Sequence, residues 1–207
     1  QSNENEELKV KKKVESKIIS FLSKKISQYH QVLFYDFGYI FSFKKMQSLF
    51  LKYNKNLVVN CQSNSYNFGY NLANKYRKSL ILSMDESEFR LVVQDKHTDI
   101  KKLILKNIPI FRGHKIVIIT HGRYGSYVIF KRKIHFVPAI LSQRLDSTGA
   151  GDIFLSMFAY LFLNSKFTIN EISLISHVAA GIHSNQLGSR FNLDKKYIFN
   201  VLSSALK

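Results

Sequence analysis

The stretch DSTGAGDIFLSMFAYLF, residues 146–162, decides how this chain is read. Its second half is apolar, and its first half strips the side chains from the turn that opens it. Gly149, Ala150 and Gly151 leave no bulk, and Asp152 follows at once. The apolar run from Ile153 to Leu163 is about half of what a bilayer span requires, so it reads as a buried helix. A helix amino terminus presents unpaired N–H groups and the positive end of the dipole, and small residues let an anion reach them. An aspartate at that place repels a phosphate held statically. It suits a turn in which a hydroxyl attacks phosphorus and must lose its proton. The same residues also admit a plain helix start, with Asp146 or Ser147 as the cap and Asp152 complementing the dipole.

Working outward, four short apolar runs read as strands: VLFYDFG (32–38), LVVNCQ (57–62), SLILSMDE (79–86) and KIVIITHG (115–122). GSYVIFKRKIHFVPA (125–139) reads as an antiparallel hairpin around the basic turn Lys131-Arg132-Lys133. Residues 7–29 space Val14, Ile18, Phe21, Leu22, Ile26 and Tyr29 at helical steps, predicting an amphipathic helix. Further helices are predicted at 43–54, 86–94, 98–107, 149–164, 170–186 and 193–206, the last three parted by Asn164-Ser165 and Leu187-Gly188. Strands alternating with helices predict an α/β fold with a mostly parallel sheet. Ligands of such sheets sit beyond the carboxyl ends of the strands, where Asp36, Asn60, Gln62, Asp85, Thr120 and Gly122 fall. No internal repeat or Pro/Gly-rich linker interrupts the pattern, so residues 1–207 are read as one domain.

Composition narrows the class. Hydrophobic residues at 45% against 22% charged exclude a disordered chain. The opening QSNENEELKVKKK has no apolar core and is not a secretion signal, and a single cysteine, Cys61, excludes an internal disulfide. The expectation is a cytoplasmic chain. A formal charge of +17 attracts polyanions, nucleic acid included, yet the basic residues come as scattered pairs and triplets that also fit solvated helix faces. No sequence motif for nucleic acid accompanies them. The histidines and Cys61 lack zinc-ligand spacing, and neither G-x-x-x-x-G-K-[ST] nor G-x-S-x-G occurs, which argues against P-loop and esterase chemistry.

Asp146-Ser147-Thr148-Gly149-Ala150-Gly151-Asp152, whole and uninterrupted, resembles the carboxyl-terminal signature of the PfkB/ribokinase-like carbohydrate kinases. ITHGRYGSYVI (119–129) resembles that family's T-x-G-x-x-G turn, which implies Thr120, Gly122 and Gly125 beside the nucleotide. Asp85-Glu86-Ser87-Glu88 resembles its N-x-x-E motif, with Asp in the first position; this implies indirect magnesium contact at Glu88 and Asp85. SHVAAGIHSNQLGSR (176–190) resembles the helix and turn over the adenine, with Gly188 in the turn. VLFYDFG and VVNCQSNSYNFGYN are similar to the heptose-phosphate kinases and their sugar-kinase relatives fused to nucleotidyltransferases.

The resemblance implies a ribokinase-like three-layer α/β/α fold. It implies ATP and magnesium, with Asp152 as general base and Gly149, Ala150 and Gly151 as an anion hole. Asp146 and Thr148 would lie at a monovalent cation, K+, while Asp36 and Asn60 would meet the sugar or sugar phosphate. Gln62 and Asn64 are further candidates for that pocket, and turn chemistry explains Asp36, Asn60, Gln62 and Asn64 equally well. His121 is read as a packing or ribose neighbour, and His177 and His183, six apart, as not sharing a helix face.

Two departures stand out. The family's first strands, which carry most of the sugar site and its lid, have no counterpart here, and the sequence opens on Gln1 without a methionine. The expectation is a fragment, a chain completed by another polypeptide, or one that has lost sugar binding. Where relatives place a small or basic residue after D-x-G, this chain has Tyr39-Ile40. With the +17 charge these features sustain an alternative: a catalytically inactive, kinase-like scaffold in a basic, RNA-containing assembly.

Overall fold

The computed structural model describes residues 2–38, 43–53, 55–140, 147–185 and 194–205. Six strands form one sheet in sequential order: β1 (Val32–Asp36), β2 (Leu57–Cys61), β3 (Ser79–Asp85), β4 (His114–Thr120), β5 (Ser126–Phe130) and β6 (Lys133–Val137). The first four run parallel, and β5 and β6 return antiparallel. Every residue of β2 is buried, which is why LVVNC is a continuous rather than an alternating apolar run.

Helices cover both faces. On one lie α1 (Ser2–Lys25), α2 (Phe43–Lys52), α3 (Glu86–Val93) and α4 (Ile100–Asn107). Phe50, Phe89, Leu103 and Ile104 there meet Val59, Leu82, Met84, Val117 and Ile119 of the strands. The opposite face, carrying Val58, Ile81, Ile116, Ile118 and Val128, is packed by α5 (Ala150–Asn164) and α6 (Ile169–Ser184) through Phe154, Phe158 and Ile172. The last helix, α7 (Lys195–Ala205), leans on α6 through Ile198. The result is the predicted three-layer α/β/α arrangement with its antiparallel hairpin. Among the described residues no helix is long and apolar enough to cross a membrane.

Two buried serines of α6 are satisfied within their own helix. Ser173 and Ser176, wholly buried on α6, donate back to the carbonyls of Ile169 and Ile172, both at 2.7 Å. Capping boxes start two helices: Asp85 with Glu88 on α3, and Thr168 with Glu171 on α6.

The structure corrects the reading of the first helix. Of the predicted stripe Leu22 and Ile26 do pack on the core, but Val14, Ile18, Phe21 and Tyr29 are 46%, 49%, 61% and 64% exposed. Ile19, outside the predicted stripe, joins Leu22 and Ile26 in the core, and Glu15 is buried. Apolar residues sit on both sides of this helix, so spacing alone could not choose the side. The hairpin turn is also tighter than predicted. Lys131 and Arg132, both at positive φ, make a two-residue turn, and Lys133 already belongs to β6.

Gly125 joins β4 to β5 at φ 125° and ψ −141°, a conformation essentially reserved for glycine. A Cβ there would stand 2.1 Å from the carbonyl oxygen of Val137. Gly125→Ala should therefore destabilise the fold by more than the roughly 1–3 kcal/mol of backbone strain alone. Thermal unfolding should show a fall of several degrees, and an unchanged midpoint would contradict this geometry.

Candidate active site

The four parallel strands end level with one another, pairing Tyr35 with Asn60, Asn60 with Ser83 and Asp85 with Thr120. Beyond their carboxyl ends lies a cleft of about 760 Å³, bounded by the first turn of α5 and by Ala180, Gly181 and Ser184 of α6. Of the residues singled out from sequence, Asn60, Gln62, Asp85, Glu88, Thr120, Gly122, Gly125, Gly149, Ala150, Gly151 and Asp152 line it. The structure thus gathers the Gly149–Asp152 turn, Gly122 and Gly125, and the Asp85–Glu88 pair around one space. Asp146, Gly188 and Tyr39-Ile40 lie outside the described residues.

Asp152 stands in the first turn of α5, half-buried. Its Oδ1 accepts a hydrogen bond from Gln62 Nε2 at 2.7 Å and one from Asn60 Nδ2 at 3.3 Å. Burial raises the Asp152 carboxyl above the ordinary aspartate range, while the two amides and the nearby His183 pull it back down. From the sheet, Tyr35 Oη donates towards the Asp152 carbonyl at 3.1 Å and lies 2.6 Å from Ser156 Oγ. Ser156 itself donates to the Asp152 carbonyl at 2.8 Å. The carboxylate and the backbone of one residue are therefore held from separate strands.

The turn before it is open. Gly149 takes φ 78°, caps α5 without a side-chain hydrogen bond and sits against His183, whose Nε2 donates to the Thr148 carbonyl at 2.9 Å. Among the described residues, nothing beyond the chain neighbours and the helix's own backbone comes within 4 Å of where a Cβ at Gly151 would lie. Packing does not demand a glycine there. The position is exposed and faces open space.

Asp85 and Glu88 lie deeper in local structure than the sequence implied. Asp85 Oδ1 accepts the Glu88 N–H at 2.8 Å; Glu88 accepts the N–H groups of Ser63 at 2.6 Å and Asp85 at 2.7 Å, one on each oxygen. Both carboxylates are thus partly committed to capping α3. Burial, reinforced by the Asp85 charge, pushes Glu88 up to about 7 against the two N–H bonds. At the rim, His121 pairs with Glu86 and stacks on Tyr124, with ring centroids 4.7 Å apart.

Asp36 is placed elsewhere. It is 1% exposed, lies off the cleft and accepts from Tyr76 Oη at 2.7 Å and from the Gly38 N–H at 2.9 Å, beside Lys75. Asn64 likewise builds a local turn, accepting the N–H groups of Tyr66 and Asn67. The sequence pointed to no role for Tyr35, Ser156 or Ser63. Ser156 follows Asp152 by four residues, a spacing that shares a helix face. Tyr35 sits inside an apolar strand and gave no such signal. His177, buried on α6, bonds Ser126 Oγ at 2.9 Å, and burial lowers it to about 4.

A mixed six-stranded sheet between two helical layers, with its cleft at the strand ends, defines a ribokinase-like α/β protein. Residues 40–196 match the model of the pfkB family carbohydrate kinases, and the chain belongs to that family. The bifunctional protein HldE of Aliarcobacter butzleri is 28% identical over 179 residues, which make up 84% of this chain and 36% of that protein. The structure of Escherichia coli phosphofructokinase-2 in complex with potassium superposes with a TM-score of 0.71 at 12% identity, covering 91% of this chain and 62% of that one. Thermotoga maritima ribokinase gives 0.65 at 19%, covering 87% and 59%. At such identities the structural likeness is one of fold. The chain spans about a third of that curated relative and about three-fifths of these solved chains.

The Glu88 geometry makes a prediction about stability. A carboxyl raised from 4.5 to about 7 binds its proton more tightly in the folded state, so its contribution is full below about pH 4.5 and lost above about 7. Wild type should gain on Glu88→Gln as pH falls through that window. Chemical denaturation of both proteins at several pH values checks this, and a constant difference would contradict it.

Proposed function

We propose that residues 1–207 are the carboxyl-terminal, nucleotide-binding portion of a sugar kinase, which transfers the γ-phosphate of ATP to a hydroxyl of a sugar or sugar phosphate of the heptose type. One observation carries the reading: Asp152, fixed by Gln62 and Asn60, stands at the opening of an uncapped helix whose bare turn borders the cleft. Asp152 takes the proton from the attacking hydroxyl. The new oxygen–phosphorus bond forms as the β–γ bridging bond of ATP breaks, and ADP leaves with the bridging oxygen. The N–H groups of the Gly149–Gly151 turn stabilise the negative charge on the transferred group. Thr120, Gly122 and Gly125 form the nucleotide side of the cleft.

Magnesium, when bound, neutralises charge on the phosphates and favours oxygen ligands while keeping several waters. Because each Glu88 oxygen already accepts an N–H, the fit is to water-mediated contact from Glu88 and Asp85 rather than to a closed protein cage. A monovalent cation beside Thr148 and Asp146 belongs to the proposal through the family resemblance, and the E. coli phosphofructokinase-2 structure with potassium supports it. The +17 charge favours the approach of ATP and a sugar phosphate, both anionic, as readily as that of nucleic acid.

Phosphoryl transfer by the full polypeptide, measured over a panel of sugar phosphates, tests the assignment. Asp152→Asn should lower the rate by roughly two to four orders of magnitude and leave ATP affinity nearly unchanged. The acid limb of the wild-type profile should lie above an ordinary aspartate, since the base works only when deprotonated. An Asp152→Asn enzyme as fast as wild type would exclude Asp152 as the base. Absence of transfer to any acceptor, together with RNA binding that weakens steeply with salt, would favour the scaffold alternative.

A further inference from the structure

Asp36 is a sequence candidate that the cleft leaves aside. It belongs to a buried polar cluster packed under the loop that follows β2. Asn71, 5% exposed, donates through one amide nitrogen to the Asp36 carbonyl at 3.0 Å and to the Gln62 carbonyl at 2.9 Å. Lys75 pairs with the Asp36 carboxylate and donates to Asn71 Oδ1. Tyr76 donates its hydroxyl to Asp36, and the Gln62 N–H donates to the Asp36 carbonyl at 2.9 Å. Both backbone groups of Gln62, its N–H and its C=O, are therefore held by this cluster.

We propose that Asn71, braced by the Asp36–Lys75 ion pair, is a positioning residue for Asp152, acting through Gln62. This deepens the kinase reading and rests on it. The connection from β2 to β3 spans residues 62–78 with only a short 3-10 turn, Ala73–Lys75, so no α-helix holds Gln62 in place. The polar cluster does so instead. With its backbone pinned on both sides, Gln62 presents Nε2 to Asp152 Oδ1 at 2.7 Å, the shorter of the two amide contacts there. Consecutive residues of β1 thus serve one side chain. Tyr35 holds the Asp152 backbone from the α5 side, and Asp36 holds its amide partner from the other.

A merely structural cluster would also be buried, satisfied and sensitive to mutation. The two roles differ in what reaches Asp152. Its carboxylate meets Gln62 and Asn60 from the strand ends and the charge of His183 from α6, and Tyr35 lies against its backbone. The Gln62 bond favours the ionised form. Loosening Gln62 must therefore move the Asp152 titration upwards, whereas a general loss of stability must not.

The experiment follows the Asp152 carboxyl by carbon-13 NMR against pH in wild type, Gln62→Leu, Asn71→Ala and Lys75→Met. Ile104→Ala, a core change on α4 away from the cluster, controls for lost stability. Gln62→Leu, Asn71→Ala and Lys75→Met should each raise the Asp152 midpoint, Lys75→Arg should restore it, and Ile104→Ala should leave it in place. Transfer by Asn71→Ala should fall about ten- to a hundred-fold, with little change in KM for ATP. An unmoved midpoint in Asn71→Ala, beside a shifted one in Gln62→Leu, would overturn the proposal. If Asn71→Ala does not fold, Lys75→Met and its arginine counterpart decide by the same titration. The midpoint reads geometry in the resting protein, so failure of the base assignment itself, seen as an active Asp152→Asn, is a separate result.

Discussion

Four parallel strands that stop in register are the constraint on which everything else depends. A sheet buried on both faces can expose polar groups only at its ends, and here the ends coincide. Asn60, Asp85 and Thr120 are brought to one edge by strand pairing alone, before any side chain chooses a partner. The fifth strand reverses at Gly125, which closes that edge on one side. The amino terminus of α5 then meets the edge from the opposite layer, and Asp152 reaches across to β2 and the residue just beyond it.

How α5 begins is the second element. Three helices start on a side-chain cap: Asp85 for α3, Asp99 for α4, Thr168 for α6. Of the two helices whose amino termini line the cleft, α3 is capped by Asp85, while α5 starts on Gly149 with no side-chain cap. A cap contributes about 1 kcal/mol, and a glycine inside a helix is worse than alanine by a similar amount. Forgoing both at one turn is locally unfavourable. The Ala150 N–H is already given to the Ser147 carbonyl at 3.2 Å, so on the proposed reading it is the rest of the turn and the open space at Gly151 that receive a transferring phosphoryl group.

Much of this was legible beforehand, for physical reasons that differ by element. Strands such as LVVNC and KIVIIT are buried on both faces, so their apolar runs fixed both their type and their place. The GAGD turn was legible because its composition makes no sense for packing. The first helix is legible in part: its predicted stripe holds Leu22 and Ile26, which pack, but also Val14, Ile18 and Phe21, which do not, and only the sheet selects between them. Asp36 was drawn towards the site by its strand-end position. Burial with Lys75 and Tyr76 is a long-range outcome that no local spacing encodes. Tyr35 stayed hidden because its apolar ring suits the strand and only its hydroxyl does the work. Capping by Asp85 and Glu88 was equally available to the sequence as an S/T/D-x-x-E pattern, which the metal reading overshadowed.

On the proposed reading the turn before Asp152 is bare for a ligand and not for the fold. Gly151→Ala is the decisive variant, because among the described residues a methyl group there meets nothing within 4 Å beyond the chain neighbours and the helix's own backbone. Thermal unfolding and phosphoryl transfer should be measured on the same preparation. The account predicts a midpoint equal to or above wild type, since alanine favours the helix by roughly 0.5–1 kcal/mol, together with a clear loss of transfer. A variant that is more stable and transfers phosphate as fast as wild type would contradict it.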